Sequence, residues 1–327
     1  MTAAWIQAPA TSELLLSLSR SDPRNPFYTK AYVSYREAIG YEAWVVGLDG
    51  DDGSLQGCPV FLKVGWRANE LELPSLPPLS RAEMFWERIQ SLCRKLYVSK
   101  LWIQSFSSTA AAIPSLGEEL RRTRRWEFVW PLQDPRSLAS MRKGHAYSVK
   151  QARKSGVVVR RSVHPDAAVG HARLMETAME RRRDRGEKVG VVADSVPLRK
   201  IIESGAGCLY QAFLDENVVA SNMILLAESG AYNHSQGINA AGREIGAAHF
   251  LLVEIAAGLR EQGFQTLNLG GTVAIESGLS RFKSGFGAST YRIELESAEF
   301  RFSPGPLRAL STVGKRLRRM TSKPLRG

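Results

Sequence analysis

The stretch that decides the reading is Leu267-Asn-Leu-Gly270-Gly271-Thr272, followed by Ser277-Gly-Leu-Ser-Arg-Phe282-Lys283-Ser-Gly-Phe286-Gly287. A strand-like run ends in a double glycine, and a short helix then carries one lysine between two phenylalanines. Phe282 and Phe286 lie four residues apart on one helical face, so they are expected to anchor this turn to a core. Lys283 then points elsewhere, as a cation held at the wall of a cleft. A fixed ammonium beside a developing oxyanion is useful for acyl transfer. A surface lysine beside buried phenylalanines is the commoner fate of the same spacing.

Just upstream runs Gln236-Gly-Ile-Asn-Ala-Ala-Gly-Arg243-Glu-Ile-Gly246-Ala247-Ala248, between a predicted strand (231–238) and a predicted helix (245–262) closed by Gly263. Small residues at this point let a backbone approach a phosphate, and a helix N-terminus directs free N–H groups at it. Tight helix–strand packing explains the same small residues equally well.

With both segments in view, Arg243-x-x-Gly246-x-Ala248 resembles the pyrophosphate-binding turn of acyl-CoA N-acyltransferases with the GNAT fold. The longer run from Gly242 to Tyr291, with its LGGT and GLSRFKSGFG segments, resembles the Fem-type (FemAB-like) aminoacyl transferases of the GNAT superfamily. The likeness is firm over about 200–295 and looser from about 140. It implies transfer of an amino acid from aminoacyl-tRNA to the amine of a peptidoglycan precursor. It also implies two tandem GNAT-like domains, each a mixed, mostly antiparallel sheet flanked by helices.

Site residues follow from the resemblance one at a time. The lysine of the family's Phe-Lys pair, associated with the oxyanion of the tetrahedral intermediate, is Lys283 here, next to Phe282. The family's phosphate-holding arginine falls within Met179-Glu-Arg-Arg-Arg183-Asp-Arg185-Gly186, with Arg183 the first choice among four. The inserted coiled-coil arm of some tRNA-using members is missing, because no long heptad stretch interrupts the chain.

Composition bounds the alternatives. The 327 residues hold 44 Lys+Arg against 32 Asp+Glu, a net charge of +12, with a pI near 9.8. Length suggests two domains, and an apolar fraction of 44% excludes wholesale disorder. No apolar run approaches the ~20 residues of a membrane span. Leu14-Leu15-Leu16 has no basic lead-in, so a secretory signal is not expected. Cys58, Cys93 and Cys208 have no ligand spacing and fit a reducing cytosol. His145, His164, His171, His234 and His249 show no H-x-x-x-H pattern, so no metal is expected.

The positive charge is concentrated. Arg121–Arg161 carries twelve basic residues against Glu127 and Asp134, and the tail from Arg308 onward is basic without an acid. Such segments favour a phosphate-rich partner or an anionic membrane surface, although a solvated face and a frayed tail give the same pattern. All seven tryptophans precede position 131, and the turn-rich Pro131-Leu-Gln-Asp-Pro135 follows. The expected layout is therefore 1–135, 136–305 with the catalytic site, and a basic tail 306–327.

Local signals predict a helix from Pro26 to Ile39, paired strands 41–48 and 58–64, a loop at Pro74–Pro78, and a helix to Leu96 capped by Ser80 with Glu83. A short strand at 101–105 completes the first part. The second part reads as a basic helix 144–155, a strand 157–162, a helix 165–185, a hairpin 208–214/218–227 and the segments already described. The class is α/β or α+β.

The expected function is N-acyl transfer to a primary amine on a phosphate-bearing molecule. The oxyanion contact is assigned to Lys283 beside Phe282, with Glu276 as the acid to watch. Arg183, Arg185, Lys150, His234, Gly270 and Gly271 are expected to bind substrate, although a structural histidine is the commoner role for His234. Arg243, Gly246, Ala247 and Ala248 are expected to bind the co-substrate. That co-substrate is aminoacyl-tRNA or acyl-CoA, with no tightly bound cofactor. The rival classes are an acyl-CoA-dependent acetyl- or acyltransferase and a non-catalytic nucleic-acid or membrane-surface module. A cytoplasmic protein touching the inner face of the membrane through its basic tail completes the expectation.

Overall fold

The sheet is assembled from two runs of six strands that exchange their last members. In the computed structural model the first run is β1 (Ala4–Gln7), β2 (Tyr41–Asp49), β3 (Leu55–Lys63), β4 (Asn69–Leu76), β5 (Val98–Ser105) and β6 (Glu118–Pro131). The second is β7 (Val158–Ser162), β8 (Gly207–Leu214), β9 (Asn217–Leu226), β10 (Gly230–Ile238), β11 (Thr266–Thr272) and β12 (Tyr291–Arg301). Residues 4–302 are described except 8, 50–54, 67, 108–112, 135, 137–139, 188, 190–193 and 287–290, with backbone only for 291–295. The basic tail therefore lies outside the described residues.

The strands form one sheet in the order β1-β2-β3-β4-β5-β12-β6-β11-β10-β9-β8-β7. Pairing is antiparallel except for β4 with β5 and β10 with β11, which are parallel. The two halves thus repeat one topology about the central β12–β6 pair. β12 closes the first half against β5, and β6 closes the second against β11. This is the mixed, mostly antiparallel tandem arrangement expected from the resemblance.

Helices α1 (Ser12–Ser21), α2 (Lys30–Ala38) and α3 (Ala82–Lys95) belong to the first half. The second holds α4 (Lys143–Lys154), α5 (Ala167–Asp184), α6 (Ser195–Glu203), α7 (Ala240–Glu244), α8 (Ala247–Glu261) and α9 (Gly278–Lys283). One core runs from Leu18, Phe61 and Leu73 across to Ile201 and Met223, so it joins the halves. The other packs α4 and α8 against the second half through Trp130, Leu251 and Phe286.

Several local expectations are corrected. The helix expected from Pro26 to Ile39 is split, because Asn25 caps Phe27 and Thr29 caps Tyr32, giving a 3-10 turn and then α2. Ser80 is not the cap of α3: its N–H and hydroxyl both donate to Gln56 Oε1, at 2.8 and 2.9 Å. The proline-rich "loop" is largely strand, with Pro74 and Ser75 in a register irregularity between Leu73↔Ile103 and Leu76↔Ser105. The helix expected from 245 to 262 is present as α8, starting after Gly246, whose left-handed φ of +74° separates it from the short α7.

The strand β6 was not expected, and it alters the charge reading. Glu294, Glu296 and Glu299 of β12 lie in register with Trp126, Arg124 and Arg121. Arg122 bonds Glu119 at 2.8 Å and Glu296 at 2.6 Å. Acids distant in sequence therefore face the arginine-rich strand, while the basic helix α4 contains no acid of its own.

Candidate active site

The site forms where β10 and β11 part. Their parallel pairing covers Gly230↔Thr266, Ala231↔Leu267 and Tyr232↔Asn268 and goes no further. Each strand is irregular immediately beyond. On β10, His234 is skipped between Asn233↔Ile224 and Ser235↔Met223. On β11, Leu269 and Gly270 are skipped between Asn268↔Val129 and Gly271↔Glu127. Bulges of this kind bend strands and re-aim side chains. The equivalent pair in the first half, β4 and β5, stays joined as far as Leu76↔Ser105.

Gly270 forms one lip of the cleft. Its φ is +79°, a region costly for other residues, and its N–H donates to Asn268 Oδ1 at 2.7 Å. A β-carbon there would lie 3.3 Å from Lys283 Nζ, 3.6 Å from Asn233 O and 3.7 Å from the Tyr232 ring. The missing side chain leaves the space between lysine and β10 open.

Lys283 enters this space from the end of α9, whose N-terminus is capped by Ser277. The residue is 8% exposed and donates to Gly271 O at 3.0 Å. Burial lowers its pKa from the usual lysine value to about 8, opposed by the Glu127 carboxylate and reinforced by Arg125. It is still mainly an ammonium at neutral pH.

The anchoring phenylalanines behave as expected in part. Phe286 is fully buried and packs 5.4 Å from Trp130. Phe282 is half-buried, with its ring 5.0 Å from Phe286 and 4.9 Å from His249. Its carbonyl accepts from His145 Nε2 at 2.8 Å, and Gly285 O accepts from Arg142 N at 3.0 Å. The first turn of α4 therefore holds the lysine-bearing turn in position.

The acid that acts on Lys283 is Glu127, which sequence reasoning missed. It comes from β6 and is fully buried. Its carboxylate accepts from Ser107 N at 3.0 Å, Asn268 Nδ2 at 2.9 Å and Arg125 Nη2 at 3.1 Å. Burial nevertheless pushes its pKa up. The signal was present: Glu127 is an acid in the aromatic run Trp126–Trp130, and Asn268 is a polar residue between two leucines. Glu276 is exposed, and no contact joins it to the lysine among the described residues.

His234 lines the same region. It is solvent-accessible, yet surrounding protein is the main reason its pKa falls to about 4, with Arg36 adding to the shift. It is neutral at pH 7. Tyr232, 6.1 Å away between ring centroids, continues this lining toward Phe27 and Phe106.

The remaining expected residues lie on α4, at the end of α5 and along the α7–α8 turn. Gly246 packs against α4, where a β-carbon would meet Ser148 O at 2.7 Å, so close helix contact accounts for the glycine. Ala247 and Ala248 are buried in the following turn. Arg243 donates to Ile238 O at 3.4 Å. Arg183 is exposed, and Arg185 shares Glu187 with Arg182. The arginine on α5 that feels Arg243 is Arg181, whose pKa is lowered first by burial and then by Arg243 and Arg185. Lys150 is exposed on α4.

No nucleophile for a covalent acyl-enzyme is evident among the cysteines. Cys58, Cys93 and Cys208 are buried, and burial pushes each thiol pKa up. Among the described residues no group of three His, Cys, Asp or Glu is arranged to hold a metal. None of the described helices is long and apolar enough to cross a membrane.

This cleft, between parted parallel strands of a tandem mixed sheet, defines an acyltransferase of the GNAT fold. Residues 139–291 match the acetyltransferase (GNAT) domain family. Among solved structures, FemX is similar with a TM-score of 0.64 at 13% identity, covering 94% of this chain and 99% of that one. A tandem GNAT protein from the clavulanic acid biosynthesis pathway has a TM-score of 0.56 at 13% identity, covering 93% and 100%. L-PGS from Bacillus licheniformis has a TM-score of 0.54 at 12% identity, covering 93% and 96%. No curated protein sequence matches. Residues 139–291 thus form a GNAT acetyltransferase domain, within a tandem fold similar to that of FemX.

Proposed function

We propose that the protein transfers an aminoacyl group from aminoacyl-tRNA to a primary amine on a phosphate-bearing acceptor, such as a peptidoglycan precursor. The observation that carries this reading is the Lys283 ammonium held at Gly271 O, in the gap between β10 and β11. The acceptor amine attacks the donor ester carbonyl there. The new C–N bond forms, the carbonyl π electrons move to oxygen, and Lys283 stabilises that oxyanion in a site of low polarity. Collapse expels the donor hydroxyl, which takes up a proton as the amine loses one. With a pKa lowered to about 4, His234 is a weak base, so the amine proton is left to solvent or to the departing donor oxygen. Holding both reactants supplies much of the rate.

Arg181 and Arg243 suit a substrate phosphate better than Arg183, which faces solvent. An acyl-CoA donor is the second reading, favoured by the turn from Arg243 to Ala248 at the start of α8. Two tandem units divided near 135, with a basic tail bringing the enzyme to the inner face of the membrane, complete the proposal.

The test is transfer of labelled amino acids from a mixed pool of charged tRNA to lipid-linked peptidoglycan precursor, with and without ribonuclease. Ribonuclease-sensitive transfer supports the reading. No transfer, with thermal stabilisation by CoA, replaces tRNA with acyl-CoA as donor.

A further inference from the structure

The helix α4 has two faces of different character. His145, Val149 and Ala152 are buried, and Ser148 and Gln151 meet the α7–α8 turn, where Gln151 donates to Glu244 O at 3.2 Å. The solvent side carries Lys143, Tyr147, Lys150 and Lys154, spaced four, three and four residues apart and therefore aligned in one stripe. Tyr147 is 69% exposed. None of the three lysines forms an ion pair with a described residue. Arg153 beside them is engaged with Glu254 at 3.5 Å and with the Phe250 ring.

We propose that this stripe is the docking surface for a single-stranded stretch of RNA, the arm that delivers the acyl ester. Consecutive lysines stand roughly 6–10 Å apart on a rise of about 1.5 Å per residue, a spacing suited to successive phosphates. The aromatic ring between them offers a face on which a base can stack. The direction is productive as well: the first turn of α4 holds Phe282 O and Gly285 O, so a strand laid along it toward Lys143 ends beside the Lys283 turn. A lipid surface fits less well, because an interfacial helix needs an apolar face and the apolar face of α4 is already in the core. The arginine-rich β6 is the poorer candidate, since β12 sets glutamates against it.

The inference rests on the RNA-ester reading, and the experiment separates their failures. Binding of labelled deacylated tRNA to the full chain is followed by fluorescence anisotropy across salt concentrations. The variants are Lys143→Gln/Lys150→Gln/Lys154→Gln, Tyr147→Ala, Tyr147→Phe, and a control Arg88→Gln/Arg94→Gln/Lys95→Gln that removes equal exposed charge from α3. The lysine triple is expected to weaken binding at least about tenfold and to reduce the log–log salt slope by about two. Tyr147→Ala is expected to weaken binding about tenfold with the slope unchanged, and Tyr147→Phe to restore it. The control keeps wild-type affinity, and thermal unfolding of each variant checks that it is folded.

If the wild type binds tRNA and the α4 variants bind equally well, or the control loses as much, the docking surface is overturned while the RNA reading stands. If the wild type binds no tRNA at low salt, both fall. Loss by the lysine triple of binding to vesicles of phosphatidylcholine and phosphatidylglycerol, without any tRNA binding, would reassign the stripe to anionic lipid.

Discussion

Gly270 and Lys283 are shaped to each other: a β-carbon on the glycine would stand 3.3 Å from the lysine Nζ, inside the gap between β10 and β11. Glycine here does two things, adopting a left-handed backbone and leaving the ammonium reachable. Gly270→Ala is expected to cost about 1–2 kcal/mol of stability from backbone strain and to reduce kcat. Gly270→Asn tolerates the backbone better but fills the same space. If Asn rescued stability and activity together, occlusion would not be part of the glycine's role. Thermal unfolding and steady-state rates on both variants decide this.

Lys283→Met retains the bulk of the side chain and removes the charge. Losing one oxyanion contact of this kind costs about 10²–10³ in kcat, with little change in KM for the donor. Activity of the wild type should also fall as pH rises through about 8, because the lysine deprotonates there. That limb should be absent from whatever activity the methionine variant retains. A wild-type rate that stays level to pH 9.5 would remove the ammonium from the mechanism.

Glu127 raises the pKa of Lys283, so its removal should act on the pH profile as well as on the fold. Glu127→Gln keeps the shape but takes away the charge, and one of three donors now faces an amide N–H. The alkaline limb should move below pH 8, and stability should drop by about 1–3 kcal/mol. A profile of unchanged midpoint would mean that Glu127 supports the backbone alone.

His171 supplies an acid-side prediction. It is fully buried, with Nδ1 2.9 Å from Ser221 Oγ and Nε2 2.8 Å from Ser235 Oγ, and burial lowers its pKa from 6.5 to about 4. The unfolded chain binds the proton more readily, so the stability this histidine provides is full above pH 6.5. It is lost as pH falls from there toward 4. His171→Leu should unfold at lower temperature at pH 7, having orphaned two hydroxyls, but with a shallower decline between pH 6.5 and 4.5. Parallel slopes in both proteins would exclude His171 as the titrating group.

The parts of this design carried by local spacing were legible in the sequence. Phe286 anchors the turn and Lys283 is turned toward the gap between β10 and β11, as the spacing indicated, whereas Phe282 is only half-buried and β11 runs on through Gly270-Gly271 to Thr272. The tandem sheet followed from the LGGT and GLSRFKSGFG resemblance. What escaped depends on long-range register. Glu127 reaches Lys283 only because β6 pairs with β11, some 140 residues later, and Asn268 matters because it bonds both Glu127 and Gly270. The arginines at the end of α5 differ only once the helix is placed: Arg181 is half-buried and feels Arg243, while Arg183 faces solvent. Ser80 looked like a cap because its competitor, Gln56, lies on another strand.

The crossing of β6 and β12 has a consequence for synthesis. The first half leaves the ribosome with β5 still lacking its neighbour, and that neighbour, Tyr291–Arg301, is the last strand made among the described elements. Meanwhile β6, which carries Glu127, waits for β11 before its carboxylate finds Asn268. Neither half can finish alone during translation. Until Tyr291–Arg301 is made, β5 lacks its native neighbour, and an open strand edge of that kind invites pairing with the wrong strand.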